Sequence, residues 1–196
     1  MSILALTSDT LIGTAAAGNI EYNGQFFGTD SNASRAQLQR LVLETSKAST
    51  SGTSIDFTGI PAWVKRITVM FKNVSTNGSS NKQIQLGTSS GVVATGYQSS
   101  SSLIFGANSC TLAAITTGFL IRSDVAADEL SGHYVFTAFG GNSWIGSSIV
   151  ADQSTNRVWQ GAGRIDLGGT LDRIRITTVN GTDAFDVGSI NILYEG

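Results

Sequence analysis

One histidine, His133, and one cysteine, Cys110, are all the chain offers to conventional nucleophilic or metal chemistry. A hydrolase triad needs a histidine or similar base beside its nucleophile. His133 stands between Gly132 and Tyr134 at the head of the apolar run HYVFTAF and reads as a residue entering a strand. Cys110, between Ser109 and Thr111, reads as a small apolar side chain in a core. Gly87-x-x-x-Gly91 and Gly161-x-Gly163 lack the following Lys-Ser/Thr and the strand-to-helix context of a phosphate cradle, so both read as turns. Asp124, Asp128 and Glu129, and separately Asp183 and Asp186, carry oxygen ligands of the kind Ca²⁺ accepts. Neither set keeps the alternate spacing of a calcium loop, and both read as solvated turns. A glycosidase would need two carboxylates facing across a cleft, and the acids here are sparse and scattered. The chain is read as a non-enzyme with no cofactor and no metal.

The aromatic residues are the other candidates. Trp63, Trp144 and Trp159 lie near turns or Gly-rich positions, and Tyr97 lies inside the polar run GTSSGVVATGYQSSSS. An aromatic ring among Ser, Asn and Gly suits sugar stacking or a protein interface, while the filling of a sandwich or trimer core is the favoured reading for the tryptophans. Tyr97, Trp144 and Trp159 are taken as candidate glycan or partner contacts, with the core as the competing reading.

The elements that must carry these residues are strands. From Arg66 to Lys72, Ile67, Val69 and Phe71 alternate with Arg66, Thr68, Met70 and Lys72, the period-two pattern of a strand with one face on a core. Ile174 and Ile176 alternate with Arg173 and Arg175 near the end of the chain, and Ile190, Ile192 and Tyr194 repeat the pattern. A sheet needs its edges paired or covered, so these first and last strands are expected to pair with one another or with near neighbours. Turn signals every 8–15 residues between them indicate eight to ten short strands. The fold class is an all-β antiparallel sandwich, jelly-roll-like, over residues 53–196. Gly87–Ser102 is read as an exposed loop or two thin edge strands.

Composition agrees. Only 13% of the 196 residues are charged, about half the usual ~25%, and 41% are hydrophobic. Ser, Thr and 23 Gly fill the difference, which suits hydroxyl-rich sheet faces and Gly-rich turns. Net charge is −2 and the 12 Lys and Arg are scattered, so nucleic acid is not the expected partner. No apolar run approaches the ~18 residues of a membrane span, and MSILALTSDTLIG lacks the positive start of a signal peptide. Synthesis in the cytoplasm, without membrane insertion, is expected.

Residues 1–52 form an N-terminal arm with its linker. Ile3, Leu4, Leu6, Leu11 and Ile12 make a short apolar start. Ile20-Glu21-Tyr22 and Gln25-Phe26-Phe27 flank Asn23-Gly24, the strongest short hairpin signal. A lone hairpin is marginal in water, so Ile20, Tyr22, Phe26 and Phe27 need a partner surface and are the candidate oligomer or arm contacts. Residues 34–48 fit a short helix or a strand, and SKASTSGTS (46–54) reads as a polar linker.

The segment GNIEYNGQFFGTDSNASR resembles a G-x-(I/L)-E-Y-(D/N)-G…SR stretch found in bacteriophage virion proteins, especially fibre-like chains. TSIDFTGIPAWVKRITVMFKNV, with the closing LDRIRI…GSINILYEG, resembles a C-terminal β-domain of phage structural proteins. The resemblance implies a virion protein, a homotrimer with a jelly-roll-like domain, held to other virion proteins through its arm. Two virion roles follow from it: a tail-fibre or tail-tip component touching host-surface glycans, or a head-fibre or cement trimer decorating the capsid. A soluble carbohydrate-binding module is the reading outside the virion.

Overall fold

The computed structural model describes residues 17, 19–22, 26–30, 32, 34–106, 109–126, 128–152 and 156–196. The Asn23-Gly24 turn and the apolar start from Ile3 to Ile12 lie outside them. By its contacts the chain divides into two units, Met1–Arg40 and Leu41–Gly196.

The first unit holds β1 (Ile20–Tyr22), β2 (Phe26–Thr29) and β3 (Arg35–Gln37), an antiparallel sheet in the order β1-β2-β3. Tyr22 stands opposite Phe26, with ring centroids 4.9 Å apart. The Asp30 carboxylate accepts the Asn32 and Ser34 backbone N–H groups at 2.9 and 2.8 Å, an Asx turn that reverses the chain between β2 and β3. The expected hairpin therefore gains a third strand.

The second unit is an antiparallel β-sandwich. Its strands are β4 (Leu41–Leu43), β5 (Lys47–Ala48), β6 (Ser54–Thr58), β7 (Arg66–Thr76), β8 (Lys82–Thr88), β9 (Gly91–Val92) and β10 (Gln98–Phe105). They continue as β11 (Ser109–Ile115), β12 (Phe119–Ile121), β13 (Leu130–Gly140), β14 (Ser143–Asp152), β15 (Arg157–Asp166), β16 (Arg173–Thr178) and β17 (Phe185–Glu195). The larger sheet runs β11-β10-β15-β14-β13-β7-β17-β4 with β5 also on β17, and the smaller runs β12-β8-β16-β6 with β9 on β8. The first strands of the body pair with the last, β6 with β16 and β7 with β17. Ile67, Val69, Phe71, Ile174, Ile176, Ile190, Ile192 and Tyr194 all point into the core, as their alternation requires.

Two stretches differ from their sequence reading. Residues 41–48, grouped with the arm or its linker, form β4 and β5 on the edge of β17. Just after β5, Ser49 N–H donates to Gly188 O at 2.9 Å, and its buried hydroxyl donates to Val187 O at 2.9 Å. The run after Gly87 is mostly strand. Ser99 and Ser101 face inward on β10, where their hydroxyls accept the backbone N–H groups of Leu120 and Arg122 at 2.9 and 3.2 Å. A buried serine is tolerable when its hydroxyl is bonded, so this polar sequence can cross a core face.

Aromatic packing ties the sheets together. Tyr134 and Phe136, successive inward residues of β13, stack with centroids 4.7 Å apart and planes 6° apart. Phe119 of the smaller sheet meets both edge-on at 5.6 and 4.8 Å, and Tyr97 at 5.3 Å. Gly146 makes room for the stack: a Cβ there would sit 2.7 Å from the Phe136 ring and 2.8 Å from that of Tyr134. Gly146→Ala is expected to cost about 1–3 kcal/mol through this overpacking, seen as a lower urea midpoint with an unchanged slope.

Candidate functional site

The three aromatic residues proposed as ligand contacts are part of the core. Tyr97 is 1% exposed, and its hydroxyl accepts the Leu86 N–H at 2.8 Å and donates to Val93 O at 2.9 Å. Those bonds brace the β8–β9 turn. Trp159 is 0% exposed, between Val150 of β14 and Leu103 of β10. Trp144 is 5% exposed, inward on β14 opposite Ala138 and Ile165. None offers a ring face to a sugar, so the contact role is corrected to a packing role. Trp63 is half-buried against Tyr194, with centroids 5.7 Å apart.

Cys110 is also corrected: it is exposed on β11, opposite Ile104. His133 is exposed on β13, in a cross-strand row with Met70 and Ile149. The acids bind neighbours. Asp124 pairs with Arg122 at 3.4 Å, and Asp183 accepts Ser80 N–H at 2.9 Å and the Asn180 amide at 2.6 Å. Among the described residues no group of three or more His, Cys, Asp or Glu is placed to hold a metal ion.

One buried cluster was hidden in the sequence by its spacing. Lys82 enters β8 facing inward and is 1% exposed. Its ammonium donates to Ser123 Oγ at 3.0 Å, Ser123 donates to Asp128 at 3.4 Å, and Arg157 donates to both Asp128 oxygens at 3.1 and 3.2 Å. Desolvation lowers the Lys82 pKa to about 8, against the attraction of Asp128, Asp186 and Asp183. Desolvation likewise pushes the Asp128 carboxyl up, and Arg157 pulls it back. A serine beside a weakly basic lysine is the pairing of Ser-Lys hydrolases. Ser123 and Lys82 are 0% and 1% exposed, however, and no substrate carbonyl can reach this hydroxyl. The cluster closes one end of the sandwich.

The two outer sheet faces are unlike. On the smaller sheet the outward residues are Ser54, Asp56 and Thr58 of β6, Arg173, Arg175 and Thr177 of β16, and Gln83, Gln85 and Gly87 of β8. All are polar or glycine, as a solvated face should be. Arg175 forks onto Asp56 at 2.7 and 2.8 Å, and a groove of about 340 Å³ runs over Gln83, Gln85, Thr117, Arg175, Thr177 and Asn180. On the larger sheet one outward row reads Leu112, Ser102, Gln160, Ile149, His133, Met70, Asn191, and the next reads Ala114, Ser100, Ala162, Ser147, Val135, Thr68, Leu193, Leu43. Leu112 is 76% exposed, Leu43 63%, Ile149 50% and Ile145 45%. The sequence signal for this face was Trp144-Ile145-Gly146-Ser147-Ser148-Ile149, apolar on both parities, which does not say which parity is inside.

In the first unit Ile20 is 67% exposed, Phe26 44% and Leu38 46%, while Tyr22 and Phe27 are half-buried. Comparison of the chain with protein-family models, with curated proteins and with solved structures yields no match.

Proposed function

We propose that this chain is a bacteriophage virion structural protein, a homotrimer fixed to a neighbouring virion protein by its N-terminal unit and acting without turnover. The observation that carries the reading is the state of that unit. Three short strands cannot enclose a core; Ile20 and Phe26 stand exposed on the segment that resembles phage virion proteins, and Leu38 stands exposed just after it. Each large apolar side chain buried in an assembly contributes roughly 1.5–3 kcal/mol, so a few such anchors suffice for attachment. Of the two virion roles, one that builds or clamps the particle has the better support, because the rings expected to stack on host glycans are inside the sandwich.

Host-glycan binding keeps one observation in its favour, the amide- and hydroxyl-lined groove on the smaller sheet. Virions of the encoding phage, assembled with the full chain or with residues 1–40 deleted, distinguish the outcomes. The full chain is expected in purified particles by mass spectrometry and the deleted form is expected to be lost from them, with the unfolding midpoint of the sandwich retained. A full chain absent from particles overturns the proposal. Binding of purified protein to host cells, abolished by Gln85→Ala, supports the adhesive role over the structural one.

A further inference from the structure

We propose that the outward face of the larger sheet is the seam at which copies of this chain meet. Two sheets built by one sequence, from the same Ser- and Thr-rich composition, obey different rules on their outer faces. Strands β6, β16 and β8 of the smaller sheet turn only polar side chains and glycine outward, as expected of a face in water, and Leu120 of β12, level with Gln83, is buried. The larger turns out Leu112, Ile104, Ile145 and Ile149, all 39% exposed or more, with Leu41 and Leu43 at its edge. Exposed large apolar side chains in this number on one sheet face mark an interaction site.

The size fits a protein partner. Seven strands from β11 to β17, at about 4.8 Å spacing and about seven residues of roughly 3.4 Å each, span a face on the order of 30 by 24 Å. That projected area is on the order of 700 Å², near the ~800 Å² that one partner contributes to a standard interface, and in a ring it is divided between the two neighbours.

Charge and shape point to a second copy. The row through Ile149 and the row through Ala162 contain no Asp, Glu, Lys or Arg. Charges gather in the next row, where Arg164 pairs with Asp166 at 2.9 Å and Arg66 with Glu195 at 3.2 Å, so the margin neutralises itself. The matching surface must be nearly neutral and mix apolar with uncharged polar side chains, and this face has those properties. It also has two complementary halves. Ala114, Ser100, Ala162 and Ser147 form a trough of small side chains across β11, β10, β15 and β14. Ile145, Ile149 and Val135 form a ridge across β14 and β13. The ridge of one copy seats in the trough of the next, a head-to-tail contact that closes into a ring.

This inference rests on the homotrimer of the proposed function only for the number three. The test is sedimentation equilibrium of the full-length protein at micromolar concentration. The wild type is expected to be a trimer. Ile149→Asp and Ala162→Lys are each expected to weaken association by at least about tenfold, a loss of roughly 1.4 kcal/mol or more. The far-UV circular dichroism should be unchanged, because both positions are exposed. The double variant Ile149→Asp/Ala162→Lys is expected to regain association, since the new charges meet across the seam. A wild-type trimer that survives both single substitutions overturns the seam and leaves the trimer standing. A dimer split by Ile149→Asp keeps the seam and overturns the number three, and a wild-type monomer overturns both.

Discussion

Trp159→Ala is expected to destabilise the sandwich by about 3–5 kcal/mol, the usual cost of removing a large ring from a closed core. Trp159 is 0% exposed, and its cross-strand neighbours Val150 and Leu103 are themselves 1% and 3% exposed. The strands on either side are tied by full backbone ladders, so they cannot collapse into the space. Its indole N–H has no hydrogen-bond partner among the described residues. Trp159→Phe removes that unsatisfied donor and keeps most of the ring, so it is expected to cost under about 1.5 kcal/mol. Urea unfolding followed by circular dichroism measures both. An alanine variant of wild-type stability with weakened ligand binding would return Trp159 to the contact role that its Gly-rich neighbourhood suggested.

That neighbourhood misled for a physical reason. Glycine beside a tryptophan suggests a loop that could offer its ring to a ligand, against the core reading that the structure bears out. Gly146, Gly161 and Gly163 instead sit in strands where a Cβ would strike a neighbour at 2.7, 3.0 and 2.6 Å, so they are spaces required by packing. Alternation was a sound guide wherever the two faces of a strand differ, as in β7 and β16, whose outward residues meet water or polar neighbours. It failed in β14, whose Ile145 and Ile149 point outward while Trp144 and Val150 point inward, both parities being apolar. It also failed just after β5 and in β10, where Ser49, Ser99 and Ser101 replace apolar contacts with hydroxyl bonds to backbone groups distant in sequence. Such bonds leave no periodic trace. The exposed Ile20 and Phe26 were legible because a short segment rich in apolar residues has nowhere of its own to hide them. Lys82 was not, since its partners come from two distant places in the chain, Ser123 and Asp128 between β12 and β13 and Arg157 at the start of β15.

That cluster sets the second large effect. Asp128→Ala is expected to cost about 3 kcal/mol, the low end of the range for leaving a buried charge without its partner. The low end applies because Arg157 keeps 23% of its side chain exposed and has Asp124 at 3.9 Å as a second carboxylate. Lys82, at 1% exposure, keeps only the weaker attraction of Asp186 and Asp183, and with Asp128 gone its pKa is expected to fall further below about 8. Burial thus makes Lys82 bind its proton less tightly in the folded chain than in the unfolded one, where its pKa is near 10.4. Between pH 8 and about 10 the unfolded state holds the extra proton, so stability rises with pH. The full gain is on the order of 3 kcal/mol. Tyr97 and Tyr134 act with the opposite sign. Desolvation raises both above the ordinary value of 10.0, so above about pH 10 only the unfolded chain loses those protons and stability falls. The urea midpoint of the wild type is therefore expected to climb from pH 8, pass a maximum near pH 10 and decline. Lys82→Met should remove the climb and leave the decline. A wild-type midpoint that only falls over this range would mean that Lys82 keeps its proton in the folded protein, with Asp128 outweighing its burial.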